Sequence, residues 1–198
     1  MKQSTRKVAL LLIVALITVV MAACGNSENE AQSGADEEGL KIAIVTSLSG
    51  VDDGNFNEDN YNGILSFIEN NPTATVTAIK EESGDPAAAV QAVSDIVADY
   101  DVIVTPGFQF AGVSSIAVEN PDKTFILIDA EPTAIGEQTT FDNIYAMTFA
   151  EQEGGFFAGM AAALETKSNK VAVVNGIAYP SNVNYQFGFE SGVNYFKK

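Results

Sequence analysis

Lys41 to Gly63 reads KIAIVTSLSGVDDGNFNEDNYNG, and this stretch decides the fold. A short apolar run, Ile42 to Val45, breaks into a loop rich in Asp, Asn and Gly; Tyr61, Ile64, Leu65 and Ile68 then recur at helical spacing. That is a strand, a polar loop and an amphipathic helix in order. In an open parallel sheet such a loop lies beyond the carboxyl end of its strand, where ligands of α/β proteins bind. The loop carries Asp52, Asp53, Asn55, Phe56, Asn57, Asp59, Asn60 and Tyr61. Carboxylates and amides pair with hydroxyls or ring nitrogens, and an aromatic face stacks on a base or sugar.

Downstream of this stretch, strand and helix signals alternate. Glu58 to Glu69 reads as the first helix, stopped by Asn70-Asn71-Pro72. Thr75 to Ile79 is a β-branched second strand. Asp85-Pro86 is an N-cap followed by proline at the first helical position, and Val90, Val93, Ile96 and Val97 share one face of the helix after it. Asp101 to Thr105 is a continuous apolar strand of the kind buried on both faces. A third helix over Phe110 to Val118, a fourth strand over Phe125 to Ile128 and a fifth over Ile144 to Phe149 follow. Glu151 to Glu165 is a helix rich in Gly and Ala, which suggests close packing against a neighbour. Val171 to Val174 reads as a sixth strand and Val183 to Phe196 as a last helix. The alternation predicts an α/β fold with a doubly wound parallel sheet.

Upstream, Met1 to Lys7 is short and basic, Val8 to Met21 is apolar, and Ala22-Ala23 precede Cys24. This is the three-part layout of a secretory signal, and the apolar run falls short of the ~20 residues of a membrane span. Val20-Met21-Ala22-Ala23-Cys24-Gly25 resembles a bacterial lipobox, which implies a signal peptide over 1–23 and a lipidated Cys24. Residues 24–39, with their acidic run and no apolar periodicity, read as a flexible tether.

The formal net charge is −16, and removing 1–23 takes Lys2, Arg6 and Lys7 but no acid. So acidic a body repels nucleic acid and anionic lipid headgroups. The chain has no His and one Cys, which removes Ser-His-Asp, Cys-His and zinc chemistry and any intrachain disulfide. Asp53, Asn55 and Asn57 match the first three ligand positions of a calcium loop. Glu58 stands where glycine is needed, however, and Ile64 where the bidentate Glu belongs, so no metal is expected. A plainer role for Asp53 or Asn57 is to cap the first helix, which is compatible with binding. Phe56, amid polar neighbours, is expected to be partly exposed.

Six segments together resemble the basic membrane protein family of bacterial substrate-binding lipoproteins, which includes purine nucleoside receptors of ABC transporters. They are Lys41 to Thr46, Asp53 to Asn57, Asp101 to Val104, Phe125 to Asp129, Gly155 to Gly159 and Gly188 to Val193. The resemblance implies a periplasmic-binding-protein fold of two α/β lobes, with the first lobe over 40–167 and an incomplete second lobe over 168–198. It implies a lipid-anchored, non-enzymatic binding protein on the extracytoplasmic face of the cell membrane, without cofactor, that delivers a nucleoside or similar polar molecule to an ABC permease. Carried over by position, Phe56 stacks on the base and Tyr185 opposes it; Asp53, Asn57 and Asp129 supply polar contacts. Ser47 stands where many members have Asp. A sensor of the same fold, reporting to a membrane receptor, and a hydrolase using Asp53 and Asp129 are the alternatives.

Overall fold

The computed structural model describes residues 39–196. The expected signal segment, Cys24 and all but the last residue of the expected tether lie outside them. Five strands form one parallel sheet: β1 (Lys41–Ser47), β2 (Thr75–Glu81), β3 (Val102–Pro106), β4 (Thr124–Ile128) and β5 (Ile144–Met147), in the order β2-β1-β3-β4-β5. β1 is an interior strand, with Ile42 opposite Val76 on one side and Val102 on the other. The chain steps from β1 to β2 in one direction and then builds β3, β4 and β5 in the other. The strand order therefore reverses between β1 and β3, the point where a crevice opens in such sheets.

Two cores coat the two faces, as a period of two along each strand requires. Ile42 and Ile44 of β1, Val104 of β3 and Ile128 of β4 pack under Ile64 of helix α1 (Phe56–Asn70). Val45, Ile103, Phe125 and Leu127 point the other way. They meet Ala89 and Val93 of α2 (Pro86–Ile96) and Ile116 and Ala117 of α3 (Ser114–Glu119). Phe110 and Phe125 are the largest fully buried side chains. Helix α2 begins as its sequence dictates: Asp85 Oδ1 accepts the Ala87 and Ala88 N–H groups at 2.9 and 3.0 Å, and Pro86 opens the helix.

Strand ends shift by a residue or two, the last helix starts at Pro180 rather than Val183, and three further elements differ from expectation. Helix α1 starts at Phe56 rather than Glu58, because a carboxylate upstream caps it. The expected helix over Phe110 to Val118 is a 3-10 turn, Phe108–Val113, leading into the short α3. Gly112, a poor helix former, lies in that turn, where a Cβ would meet Val90 of α2 at 3.0 Å. Val171 to Val174 is not a strand, and Val174 is 94% exposed. A strand needs a neighbour's hydrogen-bonding edge, and no strand among the described residues offers one to this segment.

Helices α4 (Glu151–Glu165) and α5 (Pro180–Phe196) pack on each other with backbone against backbone. Gly155 lies against the Tyr185 carbonyl, Gly159 against that of Phe189, Gly188 against that of Gln152 and Gly192 against that of Phe156. Each glycine pair is four residues apart, so each helix presents one small-residue ridge to the other. The packing expected for Gly155 and Gly159 is present, with α5 as the partner.

Candidate functional site

The carboxyl end of β1 is tied to that of β2 by a buried carboxylate. Ser47 ends β1, and its hydroxyl donates to Glu81 Oε2 at 3.1 Å. Glu81 ends β2 directly opposite. It also accepts the Ser83 N–H at 2.6 Å, the Ser83 hydroxyl and the Gly84 N–H at 2.8 Å. The two Ser83 bonds lower its pKa most; burial opposes them, and Gly84 and Ser47 add to them, bringing the carboxyl down to about 2. The next residue, Leu48, holds a left-handed φ of 64° and donates its N–H to the Glu81 carbonyl at 2.9 Å. A non-glycine residue in that region is strained and persists only where its surroundings fix it.

The loop after β1 is organised by Asp53. Its carboxylate accepts the N–H groups of Asn55 at 3.0 Å, Asn57 at 3.2 Å and Glu58 at 3.1 Å, and the Ser49 hydroxyl at 3.3 Å. Burial pushes its pKa up, but the backbone bonds and Ser49 outweigh this and hold it below the ordinary carboxylate value. Glu58 reciprocates by accepting the Gly54 N–H at 2.8 Å. Asp53 therefore caps α1 from three residues before its start and satisfies donors that the helix start leaves free. Asn57 is buried, and its amide donates to the Ser49 carbonyl at 3.1 Å and hydroxyl at 3.0 Å. Phe56 is the first helical residue and stands 36% exposed.

A cleft of about 220 Å³ opens beyond β4 and β5. Asp129, directly after β4, lines it with a left-handed φ of 59°. Opposite stand Glu151, Tyr179 and Asn184. Glu151 opens α4 and is buried; it accepts the Phe149 N–H at 3.3 Å and the Asn184 amide at 3.2 Å. An acid at a helix N-terminus is favoured by the helix dipole. Burial, and then the Glu151 charge, push the Asp129 carboxyl up. Burial, then Asp129, then Glu131, push the Tyr179 phenol up. The cleft lining contains no Lys or Arg. Among the described residues no group of three His, Cys, Asp or Glu side chains is arranged to hold a metal ion.

The expected site residues thus fall in three places. Asp53, Phe56 and Asn57 share one loop, with Asp53 bonded to the Asn57 N–H. Ser47 lies beneath that loop and is bonded to Glu81. Asp129 lines the cleft without Asp53, so its carboxylate neighbour there is Glu151 rather than the partner the hydrolase alternative requires. Tyr185 sits in the α4–α5 seam, where a Cβ on Gly154 would meet its ring at 3.3 Å, and the tyrosine lining the cleft is Tyr179. Sequence reading missed Glu81, Glu151 and Tyr179. Glu81 becomes visible only once the parallel register sets it against Ser47. Glu151 was legible only as the first residue of a helix, and Tyr179 lay outside the last helix, which was expected to start at Val183.

A family model described as "ABC transporter substrate-binding protein PnrA-like" matches residues 40–198. The chain is 29% identical over 206 residues to a CD4+ T-cell-stimulating antigen of Listeria innocua, covering 98% of this chain and 54% of that protein. It is 27% identical over 201 residues to an ABC transporter nucleoside-binding protein of Lactococcus lactis, covering 97% and 54%. Its fold matches a solute-binding protein of an ABC transporter system from Aeropyrum pernix with a TM-score of 0.64 at 24% identity, over 80% of this chain and 44% of that one. The chain spans about half the length of the curated relatives it matches.

Proposed function

We propose that this chain, which belongs to the Bmp family of PnrA-like ABC transporter substrate-binding proteins, binds a nucleoside, or a polar molecule of similar size and charge, and presents it to an ABC permease. The observation that carries this reading is the cleft beyond β4 and β5: its charged side chains are carboxylates, and its lining has no Lys or Arg. Such a lining accepts hydrogen bonds from ligand hydroxyl and amino groups and repels a phosphate. The nucleoside-binding description of the Lactococcus lactis relative supports the same class.

Phe56, exposed at the start of α1, supplies the stacking face. Asp53, Asn57 and Ser47 hold the loop that presents it, and Asp129 accepts from the ligand. In this reading residues 40–167 form the first lobe and 168–198 begin the second, with the ligand held between them. Closure of the lobes on the ligand is a hinge motion. Cys24 carries the lipid that holds the protein at the outer face of the membrane. No helix among the described residues is long and apolar enough to cross a membrane.

Titration calorimetry with adenosine, guanosine, inosine, their 5′-monophosphates and a set of sugars tests the reading. The expected result is saturable binding of nucleosides and none of monophosphates. Phe56→Ala weakens binding about tenfold or more, since stacking a base on an aromatic side chain contributes ~1–3 kcal/mol and ~1.4 kcal/mol is tenfold. Monophosphates binding as tightly as nucleosides would overturn it. Loss of palmitate labelling in Cys24→Ser tests the anchor.

A further inference from the structure

We propose that Tyr179 is a specificity-determining residue of this cleft, its phenol donating to an acceptor on the ligand while Asp129 and Glu131 accept from the ligand's donors. The inference rests on the binding-protein reading above and adds a residue that the sequence did not single out. Tyr179 lies just before Pro180, at the entry to α5, and is half-buried. Its ring stands on that of Phe108, with centroids 4.5 Å apart and planes tilted by 39°. Phe108 comes from the turn directly after β3, so the ring is braced from the sheet. A braced side chain loses little freedom when a ligand arrives, which preorganises the contact.

The cleft needs such a donor. Asp129, Glu131 and Glu151 only accept while ionised, and the Asn184 amide already serves Glu151. Thr148 and Ser181 bring hydroxyls, but only Tyr179 brings one carried on a ring fixed by a second ring. Burial and the nearby carboxylates keep the phenol protonated, so it donates at any physiological pH. A ligand that lacks the matching acceptor leaves the phenol desolvated and unpaired, which is how hydrogen-bonding sites reject near analogues.

The test compares wild type, Tyr179→Phe, Tyr179→Leu and Phe56→Ala in the full-length protein, with calorimetry on adenosine, guanosine and inosine and a melting curve for each variant. Tyr179→Phe keeps the ring and its brace; it should melt with the wild type, bind about tenfold more weakly, and narrow the spread of affinities among the three nucleosides. A change that only loosened the fold would weaken all three alike. Tyr179→Leu, which also loses the stack, should bind more weakly still. If the wild type binds and Phe56→Ala weakens it while Tyr179→Phe stays within twofold for every nucleoside, this inference falls and the binding-protein reading stands. If the wild type binds none of the three, the nucleoside assignment falls and this inference falls with it.

Discussion

Gly188→Ala and Gly63→Ala are the same change on two helices, and the structure assigns them opposite signs. At Gly63, in the exposed interior of α1, an added Cβ meets nothing within 4 Å. Alanine is there the better helix former by about 1 kcal/mol, so the protein gains about that much. At Gly188 the same methyl drives into the Gln152 carbonyl of α4. The obstacle is backbone, not a side chain that can swing aside, so α4 and α5 must part along their length. Overpacking of this kind costs ~1–3 kcal/mol, and the absence of a soft neighbour puts Gly188 at the upper end. Subtracting the helix gain leaves a net loss of about 2 kcal/mol. Urea unfolding followed by circular dichroism reads both as shifts of the midpoint at constant slope, upward for Gly63→Ala and downward for Gly188→Ala. A Gly188→Ala midpoint equal to or above wild type would refute the close crossing, and with it the account of the four glycines.

Phe110→Ala empties one of the two largest side chains of the core beneath α2 and α3 and should cost about 3–5 kcal/mol, measured by the same unfolding. Glu81 has a folded pKa near 2, below its ordinary value of 4.5, so its stabilisation is present above 4.5 and lost as pH falls through about 2. Wild-type melting temperature should therefore fall over that window, and Glu81→Gln, lower at neutral pH, should show a flatter profile; parallel profiles would contradict the assignment. Asp53→Ala should speed hydrogen exchange at the Asn57 and Glu58 amides while leaving the amides of α2 unchanged. Equal protection of Asn57 and Glu58 in the variant would show that another group caps α1.

The fold was legible because each β–α unit announces itself locally. Ile42 to Val45 and Asp101 to Thr105 are apolar runs of strand length, and Asp85-Pro86 carries its own capping chemistry. The five strands were all found, with ends shifted by one or two residues, where local signals are weakest. Val171 to Val174 shows the limit of that reasoning: a valine-rich run states a preference, but pairing needs an edge, and no strand among the described residues pairs with it. The candidate site was only partly legible for the same reason. Asp53 and Asn57 lie four residues apart and interact locally, so the capping alternative was visible in the sequence. The Ser47–Glu81 pair depends on register between strands 34 positions apart in sequence. The Phe108–Tyr179 stack depends on a segment returning to the sheet, and no periodicity announces that.

The strand order also dictates a sequence of assembly. A polypeptide emerges amino end first, from a ribosome or from an export channel alike, so β1, an interior strand of the finished sheet, appears before any neighbour. Its first partner, β2, docks after one crossover and closes one border. Every later strand then adds to the border that already exists: β3 to β1, β4 to β3, β5 to β4. No strand must wedge between two that have already paired, and no early pairing must be undone to admit a later one. The sheet can grow as the chain emerges, its hydrogen-bonding frontier moving outward one unit at a time, and at each stage the exposed border is the one the next segment requires.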